Sequence, residues 1–242
     1  MNKIIIYTLL ILSQITYSQH PFLGVVEYTI EPMESFNASK IADDKSYEPS
    51  KKREMVEIFS KPAYFTMEFN ANESLYKSKV ETMKSDAKQE SKLNFLQTFG
   101  GGASGIYYSN FKEKLTLAQK ISLGEQVLIS YQFPEWELTT ESKKIGEFLC
   151  YKAIKKQTNN KTKGLDVAWY SPEIPVQFGP ALYNGLPGLV LEVQVGKIRI
   201  YASKIKLNVD SIKEIERPNK GTKMTEGEYH DKMKKVAEEM GF

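Results

Sequence analysis

Residues able to do chemistry are sparse in this chain, and carboxylates are the first to weigh. Asp166, Glu173 and Glu192 lie in or beside a proline-rich stretch of the sequence. Two such acids held about 5–9 Å apart could share general acid and base roles in a hydrolysis of the glycosidic type. Linear spacing does not set that distance, and ordinary surface acids are the competing reading. Histidine offers less. There are two, His20 close to the N-terminus and His230 in a charged C-terminal stretch, so neither a zinc ligand set nor a Ser-His-Asp triad can be assembled from good positions. Gly100-Gly101-Gly102-Ala103-Ser104-Gly105 has the glycine content of a phosphate loop but lacks the Lys-Ser/Thr ending. It reads as a hairpin or hinge before a strand at Ile106–Ser109. The one cysteine, Cys150, sits between Leu149 and Tyr151 in an apolar run, where a buried thiol behaves as a small hydrophobe. The residues thus assign no catalytic group, no metal site and no cofactor.

Composition narrows the class. The 242 residues carry 33 Lys and Arg against 30 Asp and Glu, with 41% hydrophobic residues. That is an ordinary globular balance and gives no electrostatic argument for nucleic acid or an anionic membrane surface. Residues 1–18 read as a cleavable signal peptide. Lys3 is the basic start, Ile4 to Ile15 the apolar stretch, and Thr16 and Ser18 the small residues before a cut at Ser18–Gln19. The apolar stretch is shorter than the ~20 residues a spanning helix needs, so the expected mature chain, 19–242, is a single exported domain, periplasmic or secreted.

Past residue 18, apolar and polar residues alternate in short runs, the mark of half-buried strands. Such runs occur at Val25–Ile30, Tyr64–Phe69, Val127–Phe133, Ile145–Lys156, Leu165–Tyr170 and Leu189–Val195, with another resuming at Ile198. The phase of the last one slips, since Ile198 and Ile200 share one parity and Ile205 and Leu207 the other. A bulge near Ser203–Lys204 would absorb the slip. Helical signals are confined to Ser50–Ser60 and to a C-terminal helix opened by Thr225 and Glu228 at capping-box spacing. Met33–Lys52 reads as a solvated loop. The expected fold class is mainly β: one curved antiparallel sheet, or a partly open barrel, of about 8–10 strands, with a short helix and a C-terminal helix.

One segment breaks the alternation. Between Trp169 and Leu189 stand four prolines and three glycines, interleaved with aromatics. Proline fixes φ and removes a donor, so the stretch is neither a central strand nor a helix, and its apolar content is too high for a solvated coil. A rigid, packed loop remains. Pro187 and Gly188 suit the two central positions of a type II turn leading into the strand at Leu189. The candidate ligand-binding residues are Trp169, Tyr170, Glu173, Pro175, Phe178, Gly179, Pro180, Tyr183, Gly185, Leu186, Pro187 and Gly188. Stiff loops with exposed aromatics lose little entropy on binding. The alternative is a structural plug closing one end of the sheet, and exposure separates the two. A binding face leaves Trp169, Tyr170 and Phe178 near solvent, whereas a plug buries them.

The run Gly185-Leu186-Pro187-Gly188-Leu189-Val190 within Ala168–Glu192 resembles the motif after which the GLPGLI family of exported bacterial proteins is named. The text from Glu135 through Cys150 to Ala153 resembles that family's second block. The resemblance implies an envelope protein of unknown activity, of a kind often encoded beside outer-membrane transporters, and supplies no catalytic residue. Taken together, the expectation is a non-catalytic binding or accessory protein for an outer-membrane system, holding a peptide, a lipid or a hydrophobic small molecule. A carboxylate hydrolase and a purely structural envelope protein are the rivals.

Overall fold

A computed structural model describes residues 22–33, 48–50, 53, 62–79, 105–156 and 166–239. The helix expected over Ser50–Ser60, most of the loop Met33–Lys52, Gly100–Ser104, His20 and the signal region fall largely or wholly outside these residues.

Among the described residues, twelve strands form one sheet: β1 (Gly24–Pro32), β2 (Ala63–Phe69), β3 (Glu73–Ser78), β4 (Ile106–Asn110), β5 (Leu115–Ser122), β6 (Glu125–Gln132), β7 (Trp136–Ile145), β8 (Phe148–Lys155), β9 (Val167–Ser171), β10 (Leu189–Val195), β11 (Ile198–Leu207) and β12 (Thr222–Thr225). Helix α1 follows at Glu226–Glu239. The order across the sheet is β12-β6-β5-β4-β3-β2-β1-β11-β10-β9-β8-β7. Every neighbouring pair is antiparallel except β12, which lies parallel to β6. The sheet is mainly β as expected but has more strands than 8–10. The stretch Ile145–Lys156 is divided by a turn at Gly146, whose φ is 59°. β3, β5, β7 and β12 escape a reading based on apolar alternation alone, β7 because its exposed edge position lets it be almost wholly polar.

Connectivity forces curvature. Only residues 133–135 join β6 to β7, although nine strands lie between them in the sheet order. Four Cα steps span at most about 15 Å, so the sheet must curl round until those strand ends approach. It remains open, with β12 and β7 as its edges among the described residues. A sheet of this many strands rarely stays flat.

Residues of one parity fill the inner face. Val26, Tyr28, Ile30, Phe65, Met67, Phe69, Tyr76 and Tyr107 are each no more than 3% exposed. Their rings pack closely, with Phe65 stacked on Tyr76 at 5.2 Å and Tyr28 and Tyr107 edge-on to Tyr76. The bulge expected near Ser203–Lys204 is present: Glu27 pairs with Lys204 and Tyr28 with Ala202, leaving Ser203 unpaired in the ladder. A second shift, between Val190 and Glu192, was not legible in the sequence. It turns Val190 as well as Val193 inward.

The capping box also forms. The Glu228 carboxylate accepts from the Thr225 amide at 2.7 Å, and Thr225 Oγ1 accepts from the Glu228 amide at 3.2 Å. No residue of α1 is buried. The helix rests on the β5–β6 hairpin through Lys120 over the Tyr229 ring and through Lys232 to Glu125. Among the described residues, no helix is long and apolar enough to cross a membrane.

Candidate functional site

The proline-rich loop, residues 172–188, enters the curl of the sheet from the end where β9 stops and β10 starts. Its apolar side chains alternate inward: Ile174, Val176, Phe178, Ala181, Tyr183 and Leu186 are all buried, three of them with no exposure. Polar bonds fix it on several sides. The Trp136 indole N–H donates to the Asn184 carbonyl at 2.9 Å, and just past the loop, in β10, the Val190 carbonyl accepts from the Tyr28 hydroxyl at 2.6 Å. At its centre is Asn184, fully buried. Its Nδ2 donates toward Ser109 Oγ (3.0 Å), Thr116 Oγ1 (3.1 Å) and the Ala181 carbonyl (3.1 Å), while its Oδ1 accepts from the Gly179 amide (2.9 Å). One side chain thereby ties the loop to β4 and β5, far from β9 and β10 in sheet order.

Of the candidate binding residues, Tyr170, Phe178, Gly179, Pro180, Tyr183, Leu186 and Gly188 are buried, Trp169 and Gly185 half-buried, and Glu173, Pro175 and Pro187 exposed. They are brought together, but as packing. Lys143 Nζ covers the Trp169 ring at 4.3 Å from its centroid and reaches Glu192 at 2.8 Å. Pro187 and Gly188 do not make the expected type II turn. The Gly188 amide donates to the Leu186 carbonyl at 2.8 Å, a tighter turn centred on Pro187, and the Leu189 amide donates instead to the Ile174 carbonyl at 3.0 Å. Glycine is required at 188 for a different reason. A Cβ there would lie 2.2 Å from the Ser171 carbonyl oxygen.

The two leading acids, Glu173 and Asp166, are separated. Glu173 accepts from the Leu149 amide at one end of β8, and Asp166 sits beside Lys155 and Tyr183 at the other. Six residue steps along the strand lead from Leu149 to Lys155, about 20 Å at ~3.3 Å each, well outside the range for cooperating acids. Burial holds the Asp166 carboxyl above its usual range, opposed by Lys155 and the Tyr183 hydroxyl. Burial also pushes the Cys150 thiol up to about 11, so at neutral pH it remains an unreactive thiol.

Open space lies on the opposite, outer face. β4, β5 and β6 present Tyr108, Leu117 and Leu128 there as a second, smaller apolar cluster, with Leu75, Leu115 and Ile215 packed against it. Beside it runs a groove of about 640 Å³, floored by Leu117 and Leu128 and walled by Arg217, Pro218, Met224 and Thr225, with Lys223 and Glu228 at its rim. A second, of about 450 Å³, lies across the segment 213–220 and is lined by Leu75, Ile106 and Gln119 with several charged residues. Sequence reasoning missed this surface. The residues of the larger groove come from five separate elements, and of them only Thr225 and Glu228 stand out in the sequence, as a helix cap rather than as part of a groove.

With this geometry in view, the architecture has a counterpart. The fold is shared with a third of PNGF-II. Structures of PNGF-II in space groups C2 and P21 superpose with a TM-score of 0.53 at 16% identity, covering 88% and 87% of this chain but 33% and 32% of theirs. Residues 155–192, which hold β9 and the plugging loop, match the model of a family described as "Protein of unknown function (Porph_ging)". No curated protein matches the chain.

Proposed function

We propose that this protein is a non-catalytic binding protein of the cell envelope, serving an outer-membrane transporter or another envelope component, and that its ligand is a peptide seated in the outer groove over Leu117 and Leu128. The observation that carries the reading is the division of space: the inner face is filled by the protein's own loop, while about 640 Å³ stands open outside, within the range of small-ligand sites. A peptide suits the lining better than a lipid or an apolar small molecule. The floor is aliphatic, but Ser130, Asn219, Thr225, Lys223 and Glu228 line the sides, and a purely apolar guest would cover Asn219 and Lys223 without offering them a hydrogen bond. Membership of the GLPGLI family belongs to the same proposal, supported by the overlap of Ala168–Glu192 with the matched segment 155–192. So does export: a native mass beginning at Gln19 supports it, and a retained Met1 contradicts it.

The groove is tested by titrating an arrayed library of short extended peptides into the protein, with an acyl-chain series as counter-probe. Saturable binding of peptides bearing an aliphatic residue is expected, and Leu128→Ala should weaken it severalfold in protein that still unfolds cooperatively. Binding that ignores Leu128→Ala, or that is confined to the acyl chains, contradicts the proposal.

A further inference from the structure

The segment joining β11 to β12 has a pattern of its own. Val209, Ile212, Ile215 and Pro218 are half-buried, while the other residues from Asn208 to Lys220 are exposed. The period is three, and the segment is neither strand nor helix. Three residues per turn is the repeat of the polyproline II conformation. Span requires extension as well. The segment passes from the Leu23 carbonyl beside β1, which accepts from the Val209 amide, to β12 beside β6. Five interstrand steps separate β1 from β6, about 24 Å at ~4.8 Å each, more than the ~20 Å that thirteen helical residues reach.

Its side chains are received specifically. Ile215 packs on the cluster of Tyr108, Leu117 and Leu128. Two residues on, the Arg217 guanidinium forms a two-pronged pair with Glu113, at 2.7 and 3.0 Å, and lies 5.7 Å from the Tyr108 ring centre. The Lys220 amide donates to Gln119 Oε1 at 3.1 Å. Aliphatic side chains over a tyrosine-bearing floor, with a bidentate arginine clamp, are the elements by which proteins recognise extended threefold peptides.

We infer that the outer face of β3–β6 is a recognition track for extended peptides with an apolar residue at every third position and an arginine two residues after one of them, and that residues 209–220 occupy this track in cis. The inference rests on the binding role proposed above and adds its regulation: a partner segment of this chemistry competes with the protein's own strap. None of the strap residues is fully buried, so its exchange for such a partner leaves the inner core intact.

The probe is a labelled synthetic peptide of residues 208–220, titrated into the mature chain and into its Ile215→Ser, Arg217→Ala variant. These changes loosen the strap and leave Glu113, Tyr108 and the leucines in place. The peptide should bind the variant at least tenfold more tightly than the wild type, and a peptide carrying the same two substitutions should not bind. A variant that unfolds with the wild-type transition yet gains no affinity overturns the inference. Should the double variant fail to fold, Arg217→Ala alone takes its place under the same criterion. If library peptides still bind the wild type in a Leu128-dependent way while strap competition fails, the groove stands and only the cis occupancy falls.

Discussion

Replacing Gly188 with valine should destabilise the protein by roughly 3 kcal/mol, the scale of a forced overlap in a packed interior. The cause is local. An added Cβ would meet the Ser171 carbonyl oxygen at 2.2 Å and the Ser171 carbonyl carbon at 2.5 Å. Those are backbone atoms at the end of β9, held by the ladder with β10, where Leu189 pairs with Ser171. They cannot swing aside as the tip of a flexible side chain would. Relief requires pulling the start of β10 away from β9, which also breaks the bond from the Leu189 amide to the Ile174 carbonyl. Urea unfolding of the purified variant reads the effect directly. A midpoint equal to wild type would mean that the loop does not press on Ser171.

Asn184→Leu should cost about 3 kcal/mol as well, although leucine keeps the branched shape and the number of side-chain heavy atoms. The loss is in hydrogen bonds. The Gly179 amide and the Ala181 carbonyl would each lose a partner inside the packed loop, and an unpaired buried polar group costs ~1–3 kcal/mol. Ser109 and Thr116 would suffer less, since their hydroxyls also bond one another at 3.0 Å. This asymmetry makes a sharper check possible. Changing Ser109 and Thr116 to alanine and valine in the wild type should be costly, because only the Ala181 carbonyl then remains for the two Asn184 amide hydrogens, but in the Asn184→Leu background the same changes should cost little. Additive penalties in that double-mutant cycle would show that the side chains do not act as one knot.

Much of the architecture was written in local pattern. The Ser203 bulge is visible as a parity slip between Ile200 and Ile205, because one extra residue must reverse every later side chain. The Thr225–Glu228 cap is visible because both partners lie in one turn. The packed loop announces itself through prolines that no regular element tolerates. What could not be read depends on partners far apart in the chain. Asn184 looks like any turn asparagine between Tyr183 and Gly185, and only Ser109 and Thr116, 75 and 68 residues away, give it its role. Gly188 was singled out for the wrong turn, since the neighbour that forbids a side chain there is Ser171, across the loop. The outer groove is assembled from β5, β6, β12, α1 and the strap, none of which carries a local signal for it. Val209, Ile212, Ile215 and Pro218 did carry a period of three, but a search for periods of 2 and 3.6 passes over it.

Amide hydrogen exchange in the native protein tests most directly whether the loop is core rather than a gate. The Gly185, Leu189 and Val190 amides donate to the Gln177, Ile174 and Phe178 carbonyls within the loop's own packing. If the loop is integral, these three exchange only when the whole sheet unfolds, as slowly as the amides of β1 and β2. Exchange many orders faster, at the pace of an independently opening segment, would contradict the account and return the interior of the sheet to ligands.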